Sequence, residues 1–91
     1  MLVALMALDK DGASDVRAAN RDDHLAYLKA SGDAVFMAGP MLDDAGGMIG
    51  SLIVLDVADT DAARAWADAD PYAAAGLFEQ VHMHPWNKVL G

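Results

Sequence analysis

The chain predicts an α+β fold with its elements in the order β-α-β-β-α-β, and three observations lead there. Leu2 to Leu8 is a continuous apolar run, which fits a strand covered on both faces. Two helical stretches, starting near Ser14 and Asp59, each follow an apolar run and open on capping residues. The last stretch has period two, with Leu77, Glu79, Val81 and Met83 interleaved among Phe78, Gln80, His82 and His84.

Each element has a local cause. Asp9-Lys10-Asp11-Gly12 is turn chemistry after the first strand. Ser14 or Asp15 is expected to cap a helix that runs to about Ala30, where Ser31-Gly32-Asp33 ends it. Ala34 to Ala38 reads as a short strand closed by Gly39-Pro40, and Met41 to Gly47 as a loop. Ser51 to Val57 is apolar and β-branched, hence a third strand. Asp59 or Thr60 caps a second helix through about Ala67. Asp70-Pro71 then opens a short helical turn that Gly76 terminates, because proline fits the first helical position and holds its predecessor outside the helix. Leu77 to His84 is the last strand, and Pro85 and Trp86 are expected to anchor the tail by packing. No repeat, low-complexity tract or linker interrupts residues 1–91, so they read as one domain. This order is the split βαβ pattern of ferredoxin-like domains, a four-stranded antiparallel sheet with both helices on one face. The doubly apolar first and third strands then need cover on the other face. A homodimer packed sheet against sheet supplies it.

Composition sets further bounds. Of 91 residues, 55% are hydrophobic, more than so small a core can hide, which again points to a second subunit. Fourteen acids face six Lys or Arg, giving a net charge of −8. That balance argues against nucleic acid as a partner and against an anionic membrane surface. With no cysteine, disulfides, thiolate catalysis and Cys-type zinc sites are excluded. The run Met1 to Leu8 is too short to span a bilayer and lacks a charged flank and cleavage site, so a cytoplasmic location is expected. The six methionines read as core filler. Gly46-Gly47 lacks the strand-to-helix context of a nucleotide-binding loop, and no cofactor is expected.

The residues able to do chemistry gather on the first helix. Arg17, Arg21, His24 and Leu28 fall at spacings of four, three and four, one stripe of a helix. Two guanidiniums and an imidazole along it could grip an anionic or carbonyl-bearing molecule. The arginines could equally pair with Asp15, Asp22 or Asp23 on a solvated face. His24 could be a partly buried histidine satisfying a backbone carbonyl, and Asp70 a routine helix cap. These readings are compatible with a site, since one Asp70 oxygen can cap the turn while the other holds an imidazole N–H. His82-x-His84 on a strand places two imidazoles on one side, but a metal needs a further ligand that no spacing supplies, so no metal is expected.

These residues assemble into a resemblance that covers essentially the whole chain. The pattern Arg17-x3-Arg21-x2-His24-Leu25, then Ala38-Gly39-Pro40, Gly50-Ser51, Trp66-x3-Asp70-Pro71-Tyr72 and Gly76 resembles the YciI-like family. Its most specific part is the segment Ala67 to Gly76. The resemblance implies a ferredoxin-like fold, dimers like those of the dimeric α/β barrel superfamily, and a histidine–aspartate pair at a cleft, matched here by His24 and Asp70. It also implies substrate contacts at Arg17, Arg21 and Ser51. Two departures stand out: His84 occupies a position where a basic residue is common, and the loop before Gly50 is shorter than in some relatives. Family members with assigned chemistry resemble lyases acting on substituted aromatic rings. A His–Asp pair suits proton abstraction, isomerisation, elimination or hydrolysis, with His24 as base and later acid. The expected protein is therefore a small acid–base enzyme acting on a small anionic or aromatic molecule. The alternative is a dimeric module that binds a small ligand, or serves as an accessory protein, without chemistry.

Overall fold

The computed structural model covers residues 1–91. Strand β1 (Leu2–Asp9) leads to helix α1 (Ser14–Ala30), followed by a single 3-10 turn over Gly32–Ala34. Strands β2 (Val35–Leu42) and β3 (Met48–Asp56) form a hairpin. Helix α2 (Thr60–Asp68), the short helix α3 (Pro71–Ala74) and strand β4 (Phe78–Trp86) complete the chain. The sheet order is β2-β3-β1-β4, and every neighbouring pair is antiparallel. This is the ferredoxin-like arrangement expected from the element order.

Alternation along the strands divides the sheet into two faces. Val3, Leu5 and Ala7 of β1 and Ile53 and Leu55 of β3 are buried and pack with Ala63 of α2. Leu28, Trp66, Ala67 and Phe78 close over that cluster. Tyr27 and Trp66 brace α1 against α2, with the Tyr27 hydroxyl donating to the Trp66 carbonyl at 2.8 Å and the Trp66 indole donating to Ser31 Oγ at 2.8 Å. The opposite face carries Met6, Leu8, Leu52 and Trp86, all substantially exposed. Met1, Met6, Met37 and Met48 are exposed as well, so most of the methionines are not core filler. His82 and His84 share this open face, opposite Met6 and Ala4, with His82 Nε2 3.1 Å from Gln80 Oε1. No group of three or more His, Cys, Asp or Glu side chains is placed to hold a metal ion. No helix is long and apolar enough to cross a membrane.

Several boundaries differ from expectation, each for a physical reason. The expected closure of β2 at Gly39-Pro40 does not occur, because β2 is an edge strand and an edge tolerates a residue without N–H. The loop shrinks to Asp43–Gly47, where Asp43 Oδ1 accepts from the backbone N–H of Ala45 and Gly47 and Gly46 takes φ 88°. Neither Ser14 nor Asp15 caps α1; Ala13 occupies the cap position without a side-chain bond. At α2 the choice falls on Asp59, whose Oδ1 accepts from Ala62 N at 2.8 Å. Pro85 and Trp86 are not a packed tail but the end of β4, opposite Val3 and Leu2.

Candidate active site

Asp70 sits at the N-cap of α3, with extended backbone (φ −61°, ψ 128°) enforced by the proline that follows. Its Oδ1 accepts from Tyr72 N at 2.9 Å and lies 2.8 Å from His24 Nδ1. A single oxygen therefore serves both roles, where the two roles were expected to divide between the two oxygens. Both residues are buried, so the bond is shielded from water. An ionised carboxylate only accepts, so Nδ1 carries the hydrogen of this bond, and in the neutral imidazole the lone pair is on Nε2. Nε2 has no protein partner, and His24 lines a cavity of about 150 Å³.

Tyr72 fixes the plane of the imidazole. Its ring stacks on His24 with centroids 3.9 Å apart and planes inclined by 14°. Arg17 Cζ lies 4.7 Å from the Tyr72 centroid. Burial raises the pKa of the Tyr72 hydroxyl, a shift that Asp70 reinforces and the charges of Arg17 and Arg21 oppose. The Tyr72 hydroxyl is thus neutral near pH 7.

Arg17 is buried and held by Asp9 and Ser51 at the wall of the same cavity. Its Nε and Nη2 donate to Asp9 Oδ2 and Oδ1 at 2.7 and 2.9 Å, and Nη2 also donates to Ser51 Oγ at 3.0 Å. Burial alone would lower its pKa, but the hydrogen bonds and charge of Asp9 more than offset that and raise it. Pairing with Asp15, Asp22 or Asp23 does not occur. Arg21, one turn along, is exposed, lines the same cavity and has no hydrogen-bond or ion-pair partner. The cavity walls are otherwise largely apolar, with Leu25, Leu28, Pro40 and Ile53 among them.

The structure thus brings together all five residues expected at the site: His24, Asp70, Arg17, Arg21 and Ser51. Two more belong with them. In the sequence Asp9 belongs to a turn motif, but its odd position on β1 places it on the face of Val3, Leu5 and Ala7, toward α1. Tyr72 lay within the recognised segment, but no spacing signalled that its ring would stack on a histidine 48 positions earlier (72 minus 24).

A model of the YCII-related domain matches residues 1–87. The chain belongs to the YCII-related family. It is 40% identical to protein YciI of Escherichia coli, across 99% of this chain and 100% of that one. An uncharacterized protein of Haemophilus influenzae is 33% identical over the same shares. Among solved structures, the 5-chloro-2-hydroxyhydroquinone dehydrochlorinase TftG of Burkholderia phenoliruptrix, in complex with 2,5-dihydroxybenzoquinone, superposes with a TM-score of 0.88. It is 29% identical and matches 96% of this chain and 94% of its own.

Proposed function

We propose that the protein is a small acid–base enzyme of the lyase, isomerase or hydrolase type, acting on a small anionic or aromatic molecule. The observation that carries this reading is the 2.8 Å bond between buried His24 and Asp70 beside a cavity that His24 itself lines. In this reading His24 Nε2 takes a proton from the substrate and later returns one. Asp70 fixes the tautomer and stabilises the imidazolium. Arg21, unpaired at the cavity, attracts an anionic group. Ser51 donates a hydrogen bond rather than attacking, since its oxygen is bonded to Arg17 and not to His24.

The likeness to TftG favours an elimination among these reaction types, because dehydrochlorination is one. We further propose that the working unit is a homodimer packed through the open sheet face, which leaves Met6, Leu8, Leu52 and Trp86 in water when the chain is alone. The test is a screen of halogenated and hydroxylated aromatic compounds for halide release or isomerisation, repeated with His24→Ala. Loss of about 10²–10⁴-fold in rate is expected for that variant. A His24→Ala protein that turns over an identified substrate at the wild-type rate refutes the assignment. Ligand binding with no turnover by the wild type would instead establish the non-catalytic module.

A further inference from the structure

The polar groups lining the cavity divide unequally between donors and acceptors. Arg17 places Nε and both Nη2 hydrogens on Asp9 and Ser51. Its Nη1 serves neither of these, and the side chain, only 5% exposed as a residue, lines the cavity beside Tyr72. Ser51 Oγ accepts from Arg17, so its own hydrogen points elsewhere, and no protein group accepts it. The Tyr72 hydroxyl lies against the Arg17 guanidinium, which can only donate to it, so its own hydrogen is left for the cavity that Tyr72 lines, and burial keeps it in its donating form. On the same cavity lies His24, whose Nε2 is the acceptor in the neutral imidazole. Donors that line one cavity beside a base are complementary to an oxygen that becomes negative as a proton leaves.

We infer that Arg17 Nη1 and the hydroxyls of Ser51 and Tyr72 form an oxyanion pocket, with Tyr72 contacting the substrate and Asp9 positioning the guanidinium. The inference rests on the acid–base reading of His24 and narrows its substrates to enolisable carbonyl compounds and phenols. His24 Nε2 takes a proton from carbon next to a carbonyl. The C–H electron pair becomes a C=C bond, and the carbonyl π pair moves onto oxygen, where the pocket receives it. The enolate then reforms its carbonyl in one of two ways. It expels a leaving group from the β carbon with that bond's electron pair, leaving an α,β C=C bond, or, where a further C=C is conjugated with it, it takes the proton at the γ carbon and the double bond shifts. With a phenol, the O–H proton passes to Nε2 and the phenolate oxygen occupies the same donors. Neither course needs an oxidant or a reductant.

The probe is 4-nitrophenol, whose phenolate band reports ionisation without turnover. At a pH where free 4-nitrophenol is half ionised, wild-type protein should bind it as phenolate and increase that band. Ser51→Ala and Tyr72→Phe, both of which keep the packing, should each weaken phenolate binding about tenfold or more. Asp9→Asn, checked for folding by circular dichroism, should reduce the band shift as well. Binding as neutral phenol, absence of binding, or phenolate affinity within twofold of wild type in both Ser51→Ala and Tyr72→Phe overturns the pocket. The two readings separate cleanly. Phenolate binding that depends on Ser51 and Tyr72, with no turnover of any enolisable compound, keeps the pocket and refutes the enzyme. Turnover that needs His24 but is indifferent to Ser51 and Tyr72 refutes the pocket and keeps the enzyme.

Discussion

Replacing Asp70 tests the site and the fold at once, because Oδ1 holds both His24 and the first turn of α3. Asp70→Ala removes the cap, which costs about 0.5–2 kcal/mol. It also strands the buried His24 N–H without an acceptor, a further cost of about 1–3 kcal/mol. Together these predict a loss of roughly 1.5–5 kcal/mol, a large share of the stability of a domain this size. Asp70→Asn behaves differently. The Tyr72 N–H pins whatever oxygen sits at the Oδ1 position, so the amide carbonyl stays there and still faces His24 Nδ1. Only the charge assistance is lost, about 1 kcal/mol for each of two hydrogen bonds. The assay is urea unfolding of wild type, Asp70→Asn, Asp70→Ala, His24→Ala and the double alanine variant. The double-mutant cycle should give a coupling of about 1.5–3 kcal/mol between His24 and Asp70. Coupling below about 0.5 kcal/mol, the usual additivity error, refutes the claim that this bond supports the fold.

Other predictions follow from neighbouring groups. Arg17→Met leaves Asp9 buried and unpaired and should cost about 3–5 kcal/mol, with Asp9→Asn in the same chain restoring part of it in thermal melts. Burial raises the pKa of both tyrosines, with Asp70 adding to each shift. Their contribution to stability is therefore complete below pH 10.0, where the unfolded phenols stay protonated, and is lost as the pH rises through the folded values. Tyrosinate absorbance of the folded protein should therefore appear only above pH 10.0; half-ionisation of both tyrosines at or below that pH in folded protein contradicts the assignment. Leu52→Glu places a charge in the middle of the open sheet face and should yield monomers in sedimentation velocity with circular dichroism unchanged.

Much of this arrangement was legible in the sequence because period and punctuation carry it. The apolar run of β1, the alternation of β4 and the Asp70-Pro71 break each follow from local sterics, and they fixed the order of elements. The Arg17–Arg21–His24 stripe was legible for the same reason, since helical spacing is local. What escaped notice depended on tertiary context. Pro40 looks like a strand terminator until β2 is known to be an edge. Asp9 looks like a turn residue until α1 is known to lie across that end of β1, with Arg17 above it. The same holds for the methionines, whose exposure reflects a face of the sheet that this chain does not cover by itself.

One short segment, Asp70 to Tyr72, joins folding and chemistry. Asp70 caps α3 and orients His24; Pro71 fixes the backbone between; Tyr72 returns its amide hydrogen to Asp70 and its ring to His24. Preorganisation of the imidazole is therefore built from bonds that also stabilise the fold. It follows that loss of activity in Asp70→Ala carries little weight as evidence for catalysis, since local unfolding produces the same loss. Variants that alter chemistry while sparing those bonds decide the matter. Tyr72→Phe keeps the stack and the backbone donor but removes one hydroxyl, and Ser51→Ala removes another from a neutral side chain. If the fold holds and the rate falls in both, the cavity stabilises charge that develops during reaction. If the rate does not change in either, the role of His24 has to be explained without that pocket.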